Sequence, residues 1–209
     1  MAEYTRNIQA LNDHQKEWFR RIDHFPIHII EGPAGSGKTY IGTAEGCSRL
    51  DKGMVDKVVF LRPHVTTEDF GFLPGTLEEK MDPLLIPLVD VAVKRLSMKR
   101  YKQYCADGAI EIAALAYLRG RTFTNSWVIF DEAQNCTEEQ MKMVLTRMGD
   151  GSKLIITGDL SQSDIPGNNG LNWAIHRLQG CEVVSVTKFD TDDVVRSDTV
   201  RKLLKHLEG

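Results

Sequence analysis

The sequence predicts an α/β fold: a doubly wound, mainly parallel sheet with helices on both faces. Short apolar runs alternate along the chain with helical patterns, an order typical of parallel strands joined by crossover helices. The runs are continuously apolar, which indicates strands that are buried on both faces of the sheet. The predicted strands cover residues 27–30, 58–61, 110–113, 127–130, 154–157 and 183–186.

Helical patterns fill most of the intervals between these strands. Thr137 to Gln140 form a capping box, in which the threonine hydroxyl and the glutamine amide satisfy free backbone amides. This box predicts a helix that ends at Gly149. The other predicted helices cover residues 11–22, 84–96, 170–178 and 197–207, besides one that opens at Gly37.

Length and composition predict a single domain over residues 1–209. The 209 residues are 42% hydrophobic and 26% charged, the balance of a globular protein with one sizeable core. We expect a helical lead-in over residues 1–24 and an insertion over 62–107, a length of insertion that tends to be functional. The polar N-terminus has no long apolar stretch, so we expect no membrane span and a cytoplasmic location.

The cysteines and the overall charge exclude several classes of function. The four cysteines have no paired spacing, which predicts reduced thiols and neither a disulfide framework nor a zinc site. The net charge of −3 gives no global basic footprint for nucleic acid, so any such binding must be local. The cysteines are Cys47, Cys105, Cys136 and Cys181.

Residues 32–39 read GPAGSGKT and match the P-loop pattern in full, between the first predicted strand and a helix. Glycine is needed there because backbone amides must turn inward around a β-phosphate. Lys38 is expected to reach the β- and γ-phosphates, and the Thr39 hydroxyl to bind a bridging Mg²⁺. The loop therefore predicts a Mg-ATP site. The predicted ATP contacts are Gly32, Pro33, Ala34, Gly35, Ser36, Gly37, Lys38, Thr39 and Tyr40.

Two later strands end in polar residues that hydrolysis requires. The run 127–130 is followed by Asp131, a predicted Mg²⁺ ligand, and by Glu132, a predicted general base or water-orienting residue. Gln162 follows the run 154–157 and is expected to contact both the γ-phosphate and the attacking water. Together with Lys38 these residues predict a catalytic site that hydrolyses ATP to ADP and phosphate.

The densest positive stretch lies inside the insertion, between residues 94 and 102, with tyrosines interleaved. A solvated helix face is the simpler interpretation, because short charge runs mostly mean only that. The alternative is a surface for single-stranded RNA or DNA, where positive charges track phosphates and aromatic rings stack on bases. The candidate nucleic-acid contacts are Arg62, Lys94, Arg95, Lys99 and Arg100.

Three elements stand in one order along the chain and resemble the ATPase core of helicase superfamily 1. They are GPAGSGKT at 32–39, VIFDEAQ at 128–134 and TGDLSQ at 157–162. Further stretches make the chain similar to the PhoH family, the phosphate-starvation-inducible ATPases of bacteria and phages. These stretches include GFLPG at 71–75, YLRGRT at 117–122 and DVVR at 193–196.

The resemblance runs from about Gln15 to the C-terminus and implies a RecA-like P-loop ATPase with an RNA-directed or RNA-unwinding role. The chain resembles the minimal, phage-type form without added RNA-binding or nuclease domains. The resemblance also implies that Gln15 reads adenine, since an amide offers that base one donor and one acceptor. Gln9 in that role, or a surface position for Gln15, stays open.

Helicases of this superfamily complete the nucleotide site with an arginine from a second domain. We expect no second domain of this kind in this chain. A neighbouring subunit, or the tail of the same chain, is expected to supply the arginine. Head-to-tail contacts of this kind close into a ring, for which a hexamer is the expected count. Arg196 is the first candidate, with Arg119, Arg121 and, more weakly, Arg147 as the others. The alternative functions are a P-loop phosphotransferase of a small molecule and a nucleotide-gated assembly module.

Overall fold

The computed structural model describes residues 8–63, 77–165 and 167–194. Six strands form one sheet in the order β3-β2-β4-β5-β1-β6, and every pair is parallel. The α/β prediction is therefore confirmed, and each predicted strand is present with bounds shifted by two residues at most. The strands are β1 (Ile27–Glu31), β2 (Lys57–Arg62), β3 (Ile110–Ala114), β4 (Ser126–Phe130), β5 (Lys153–Gly158) and β6 (Val184–Lys188).

The helices agree less closely with the prediction. The helix of the capping box ends at residue 145 and not at the predicted residue 149. Just after its last residue, the Thr146 hydroxyl donates to carbonyls of the preceding turn. The helix α4 (Met98–Ala106) was predicted only as a solvated helix face, without bounds, because it has no buried residue and packs against the core through the partly buried Tyr101 and Tyr104. The predicted helix 197–207 lies outside the described residues. The helices are α1 (Asp13–Arg21), α2 (Lys38–Asp51), α3 (Leu77–Leu96), α4 (Met98–Ala106), α5 (Glu138–Leu145) and α6 (Gly170–Arg177).

Alternate residues of each strand enter two separate hydrophobic cores, one on each face of the sheet. Val58 and Phe60 belong to the core under α1, α2 and α3, whereas Val59 and Leu61 belong to the core under α5 and α6. Both faces of the sheet are thus covered, as the continuously apolar strands indicated.

The helix α2 packs unusually close to the sheet because it carries glycine at two contact positions. The Trp127 indole Nε1 donates to the carbonyl of Gly42 at 3.0 Å. A Cβ atom at Gly46 would lie 2.3 Å from the Cδ1 atom of the same indole. This close contact fixes α2 against β4, so the first turn of α2 lies next to the carboxyl end of that strand.

The insertion contributes to the core through α3. Its residues Leu85, Leu88, Ala92 and Leu96 recur every three or four positions and are at most 4% exposed. The helix packs against α2 and extends the predicted helix 84–96 toward the N-terminus. Among the described helices, none combines the length and the apolarity needed to cross a lipid bilayer.

Candidate active site

The P-loop connects β1 to α2 at the carboxyl edge of the sheet. Gly37 has φ 84°, and a Cβ atom on it would lie 2.8 Å from the Gln15 Nε2 atom. Gly32 approaches the backbone after β6, where a Cβ atom would lie 2.6 Å from the Phe189 carbonyl oxygen. Only glycine fits these two positions, as the sequence pattern requires.

Lys38 is folded back onto the loop that carries it. Its Nζ donates to the carbonyl oxygens of Gly32 at 2.7 Å and Pro33 at 2.8 Å. Burial lowers the pKa of Lys38, and the negative charges of Asp159 and Asp131 oppose that shift. A phosphate bound in this loop would offer its oxygens to Lys38 Nζ in place of the two carbonyl oxygens. The negative charge of the phosphate would favour the charged form of the ammonium group.

Asp131 lies at the tip of β4, 2% exposed, and gathers hydroxyl groups around one carboxylate oxygen. Its Oδ1 accepts from Thr39 Oγ1 at 2.8 Å and from Thr157 Oγ1 at 2.5 Å. Oxygen donors of this kind are those that Mg²⁺ selects. The two predicted metal ligands, Thr39 and Asp131, are thus in direct contact, and their donor set fits the ion.

Arg62, at the end of β2, lies against the same carboxylates, although it was expected among the nucleic-acid contacts. Its Nη2 is 2.9 Å from Asp131 Oδ2 and 3.6 Å from Glu132 Oε1, with the side chain 14% exposed. These contacts place Arg62 beside Asp131 and Glu132, and its expected contact with nucleic acid stays a prediction. One signal could have predicted this position, because Arg62 directly follows a predicted strand and the ends of parallel strands converge at one edge of the sheet.

Glu132 has a left-handed backbone, with φ 57° and ψ 36°, a conformation that is strained for residues other than glycine. Its Oε2 accepts from Gln134 Nε2 at 2.6 Å. The Gln134 Oε1 in turn accepts from the backbone amide of Asp159 at 3.1 Å. One buried amide group thus links the tips of β4 and β5, a role that the sequence analysis did not assign to Gln134.

Asp159 joins the P-loop to the segment after β5. Its Oδ2 accepts from the backbone amide of Ala34 at 3.0 Å and from Gln162 Nε2 at 3.0 Å. Gln162, which is expected to contact the γ-phosphate, is therefore connected to the P-loop through the carboxylate of Asp159. A contact between Asp159 and the P-loop was not predicted from the sequence.

These residues surround a cleft of about 290 Å³. Most of its lining was expected from the P-loop and from the ends of β4 and β5. Pro87 and Val91, however, come from α3, so a helix of the insertion forms one wall of the cleft. Tyr40, a predicted ATP contact, is 44% exposed at the same cleft.

Gln15 is buried behind the P-loop, at 1% exposure. Its Nε2 donates to the Ser36 carbonyl at 3.0 Å, and its Oε1 accepts from the Leu11 amide at 2.9 Å. Both ends of the amide thus have protein partners, so reading adenine would require these bonds to be exchanged. The position beside the P-loop agrees with a nucleotide-related role, and the adenine contact stays a prediction.

The candidate arginines occupy different environments. Arg121 is paired with Glu111 through contacts of 2.5 and 2.9 Å and stacks over Phe123. Arg119 is exposed and has no partner among the described residues; it lines an open groove of about 500 Å³ together with Arg147. Arg196 lies outside the described part of the chain.

The positive stretch of the insertion is only partly available to a ligand. Arg100 is paired with Asp51 at 2.7 Å, and Arg95 donates to Ser48 Oγ at 3.1 Å. Lys94 and Lys99 are exposed. Among the described candidates, Lys94, Lys99 and Arg100 thus face solvent, whereas Arg95 is partly buried.

Comparisons with known proteins find relatives over nearly the whole chain. The family described as PhoH, PhoH-like protein, matches residues 7–208. A PhoH-like protein of Bacillus subtilis is 47% identical over 203 residues, which is 96% of this chain and 64% of that protein. Protein PhoH of Escherichia coli is 41% identical over 206 residues, 96% of this chain and 58% of that protein. The chain thus spans about three fifths of the length of these relatives.

Proposed function

The chain belongs to the PhoH-like protein family, and from that membership and the geometry of its cleft we propose that it binds Mg-ATP and hydrolyses it to ADP and phosphate. The observation that carries the proposal is the contact between the P-loop and the tip of β4, where Thr39 Oγ1 lies 2.8 Å from Asp131 Oδ1. A phosphate-binding loop and a buried carboxylate that meet at this distance suit one metal-bound triphosphate.

Each residue of the cleft has a distinct task in this proposal. The P-loop amides and Lys38 bind the phosphates, and Thr39 and Asp131 would hold Mg²⁺, which when bound neutralises charge that develops on the phosphoryl group. Glu132 orients the attacking water and accepts its proton. Gln162 contacts the γ-phosphate, and its bond to Asp159 transmits the loss of that phosphate to the P-loop.

Two variants separate binding from chemistry. Lys38→Ala removes the cation of the P-loop, so we expect nucleotide affinity and phosphate release both to fall. Glu132→Gln keeps the size of the side chain but removes the proton acceptor, so we expect binding to persist while kcat falls by about 100-fold or more.

Glu139→Gln is the matched control, since this exposed glutamate lies on α5 outside the cleft. Calorimetric titration with Mg-ATP and a phosphate-release assay measure the two quantities. Unchanged phosphate release in both cleft variants would show that the hydrolysis takes place elsewhere. Binding of nucleotide without any turnover would favour the assembly module, and phosphate transfer to a metabolite would favour the phosphotransferase.

A coupling of this ATPase to single-stranded nucleic acid, RNA above all, is the second function that we propose. It is supported by α3, which lines the cleft with Pro87 and Val91 and carries the exposed Lys94 one turn further on. The double variant Lys94→Ala, Lys99→Ala is expected to weaken RNA binding and to flatten its salt dependence. Lys52→Ala, an exposed lysine after α2, is the control. Equal binding by the double variant and the control would refute this surface.

A further inference from the structure

Arg62 is the cation that contacts the carboxylates of the cleft among the described residues. Its Nη2 lies 2.9 Å from Asp131 Oδ2 and 3.6 Å from Glu132 Oε1. Lys38, the other cation of the cleft, instead donates to the carbonyls of its own loop. One guanidinium thus faces both acidic residues at the tip of β4.

This ion pair lies at the edge of the sheet that carries the P-loop. Other arginine–carboxylate pairs of the chain lie elsewhere: Arg121 pairs with Glu111 near the amino end of β3, and Arg100 pairs with Asp51 at the end of α2. The Arg62 side chain is 14% exposed and that of Asp131 is 3% exposed, so solvent screens their attraction weakly.

A cation held this close lowers the affinity of a carboxylate for any other cation. Arg62 Nη2 lies 2.9 Å from Asp131 Oδ2, so its positive charge repels any further cation that approaches this carboxylate. A divalent ion is repelled about twice as strongly as a singly charged one. Asp131 and Glu132 with Arg62 beside them therefore form a weak site for a free divalent ion. A bound triphosphate adds several negative charges and oxygen ligands, and so reverses that balance.

We infer that Arg62 makes metal binding conditional on the nucleotide. It balances the charge of Asp131 and Glu132, so that the two carboxylates bind a divalent cation tightly only when a triphosphate occupies the P-loop. The inference rests on the proposed function and gives Arg62 a positioning and charge-balancing role within its own subunit, distinct from that of an arginine supplied by a neighbour.

The test is the affinity for free Mn²⁺ without nucleotide, measured by electron paramagnetic resonance of the unbound ion. Arg62→Gln removes the charge and keeps hydrogen-bonding capacity, so its Mn²⁺ affinity is expected to rise about tenfold or more. Arg62→Lys keeps the charge and is expected to bind Mn²⁺ as weakly as the wild type does. Arg21→Gln removes an arginine from a glutamate pair on α1, outside the cleft, and is expected to change nothing.

Thermal unfolding of each variant checks that it is folded before the titration. Equal or weaker Mn²⁺ binding by folded Arg62→Gln, compared with the wild type, overturns the inference. Each variant is also titrated with a fluorescent ATP analogue, once in the presence of Mg²⁺ and once in EDTA. This titration separates that outcome from failure of the proposed function. In that second case the wild type itself shows no Mg²⁺-dependent nucleotide binding.

Discussion

At the scale of single residues, Gln134 orients the carboxylate of Glu132, the proposed proton acceptor. Its amide donates to Glu132 and accepts from the backbone of Asp159, so both of its polar ends are committed. A strained left-handed residue such as Glu132 persists only when its surroundings hold it in place. Gln134 is therefore a positioning residue, which acts on water only through Glu132.

Gln134→Ala is expected to lower kcat by about 10- to 100-fold, because Glu132 loses the donor that orients it. Nucleotide affinity should change less than kcat, since Gln134 is connected to the P-loop only indirectly, through the backbone amide of Asp159. Gln103→Ala, an exposed glutamine on α4, is the control. Steady-state kinetics with separate values of kcat and KM check this, and a loss confined to KM would contradict it.

The contact between His14 and Asp193 is expected to make the stability of the fold depend on pH. His14 Nδ1 lies 2.6 Å from Asp193 Oδ2, and this hydrogen bond raises the pKa of His14 above the ordinary histidine value of about 6.5. Because the folded pKa is the higher one, the stabilisation is complete below pH 6.5 and is lost as pH rises through the folded pKa. His14 is 38% exposed, so solvent screening keeps the effect small.

The melting temperature of His14→Asn, compared with that of the wild type, measures this contribution. We expect the variant to melt further below the wild type near pH 6 than near pH 8.5. The protonated imidazole of His14, which the variant lacks, pairs with Asp193 mainly at the lower pH. A deficit that is constant across this range would contradict the assignment.

At the scale of elements, α3 shows that the insertion is part of the core. Leu88 is fully buried and Ile86, two residues earlier on the same helix, is 53% exposed. Leu88→Ala is expected to cost about 2–5 kcal/mol of unfolding free energy, as a cavity in a packed core does. Ile86→Ala, the matched control, should change it by about 0.5 kcal/mol or less. Denaturant unfolding measures both, and equal effects would contradict the packing of α3.

The strands and the P-loop could be predicted from the sequence, because local patterns determine them. Continuous apolar runs mark buried strands, and eight consecutive residues carry the phosphate loop. The tertiary contacts of the cleft could not be predicted. Pro87 and Val91 reach the nucleotide cleft only because α3 crosses α2, and the partners of Gln134 follow from the neighbouring positions of β4 and β5.

At the scale of the whole molecule, we propose that the protein acts as a homo-oligomeric ring, with a hexamer as the expected count. The described residues place no arginine except Arg62 at the carboxylates of the cleft. An arginine from a neighbour would complete the site, and Arg119 is more available for it than Arg121, whose guanidinium is held by Glu111. Arg196 remains the first candidate from the sequence.

Mixing two inactive variants tests an arginine supplied in trans. Subunits with Lys38→Ala keep their arginines, and subunits with Arg196→Ala keep an intact P-loop. We expect the mixture to release phosphate faster than either variant alone, because some interfaces combine the intact halves. The same mixture with Arg119→Ala or Arg121→Ala identifies which arginine acts. Failure of all three mixtures to recover activity would exclude Arg196, Arg119 and Arg121 as arginines supplied in trans.

The most direct measurement for the central claim is a crystal structure with Mg²⁺ and a non-hydrolysable ATP analogue. We expect the β-phosphate inside the loop of residues 32–39, the metal within coordination distance of Thr39, and Asp131 in its ligand shell. Glu132 should face the γ-phosphate. A nucleotide bound outside this loop would contradict the account. So would a structure in which the carboxylates of Asp131 and Glu132 point away from the bound Mg²⁺.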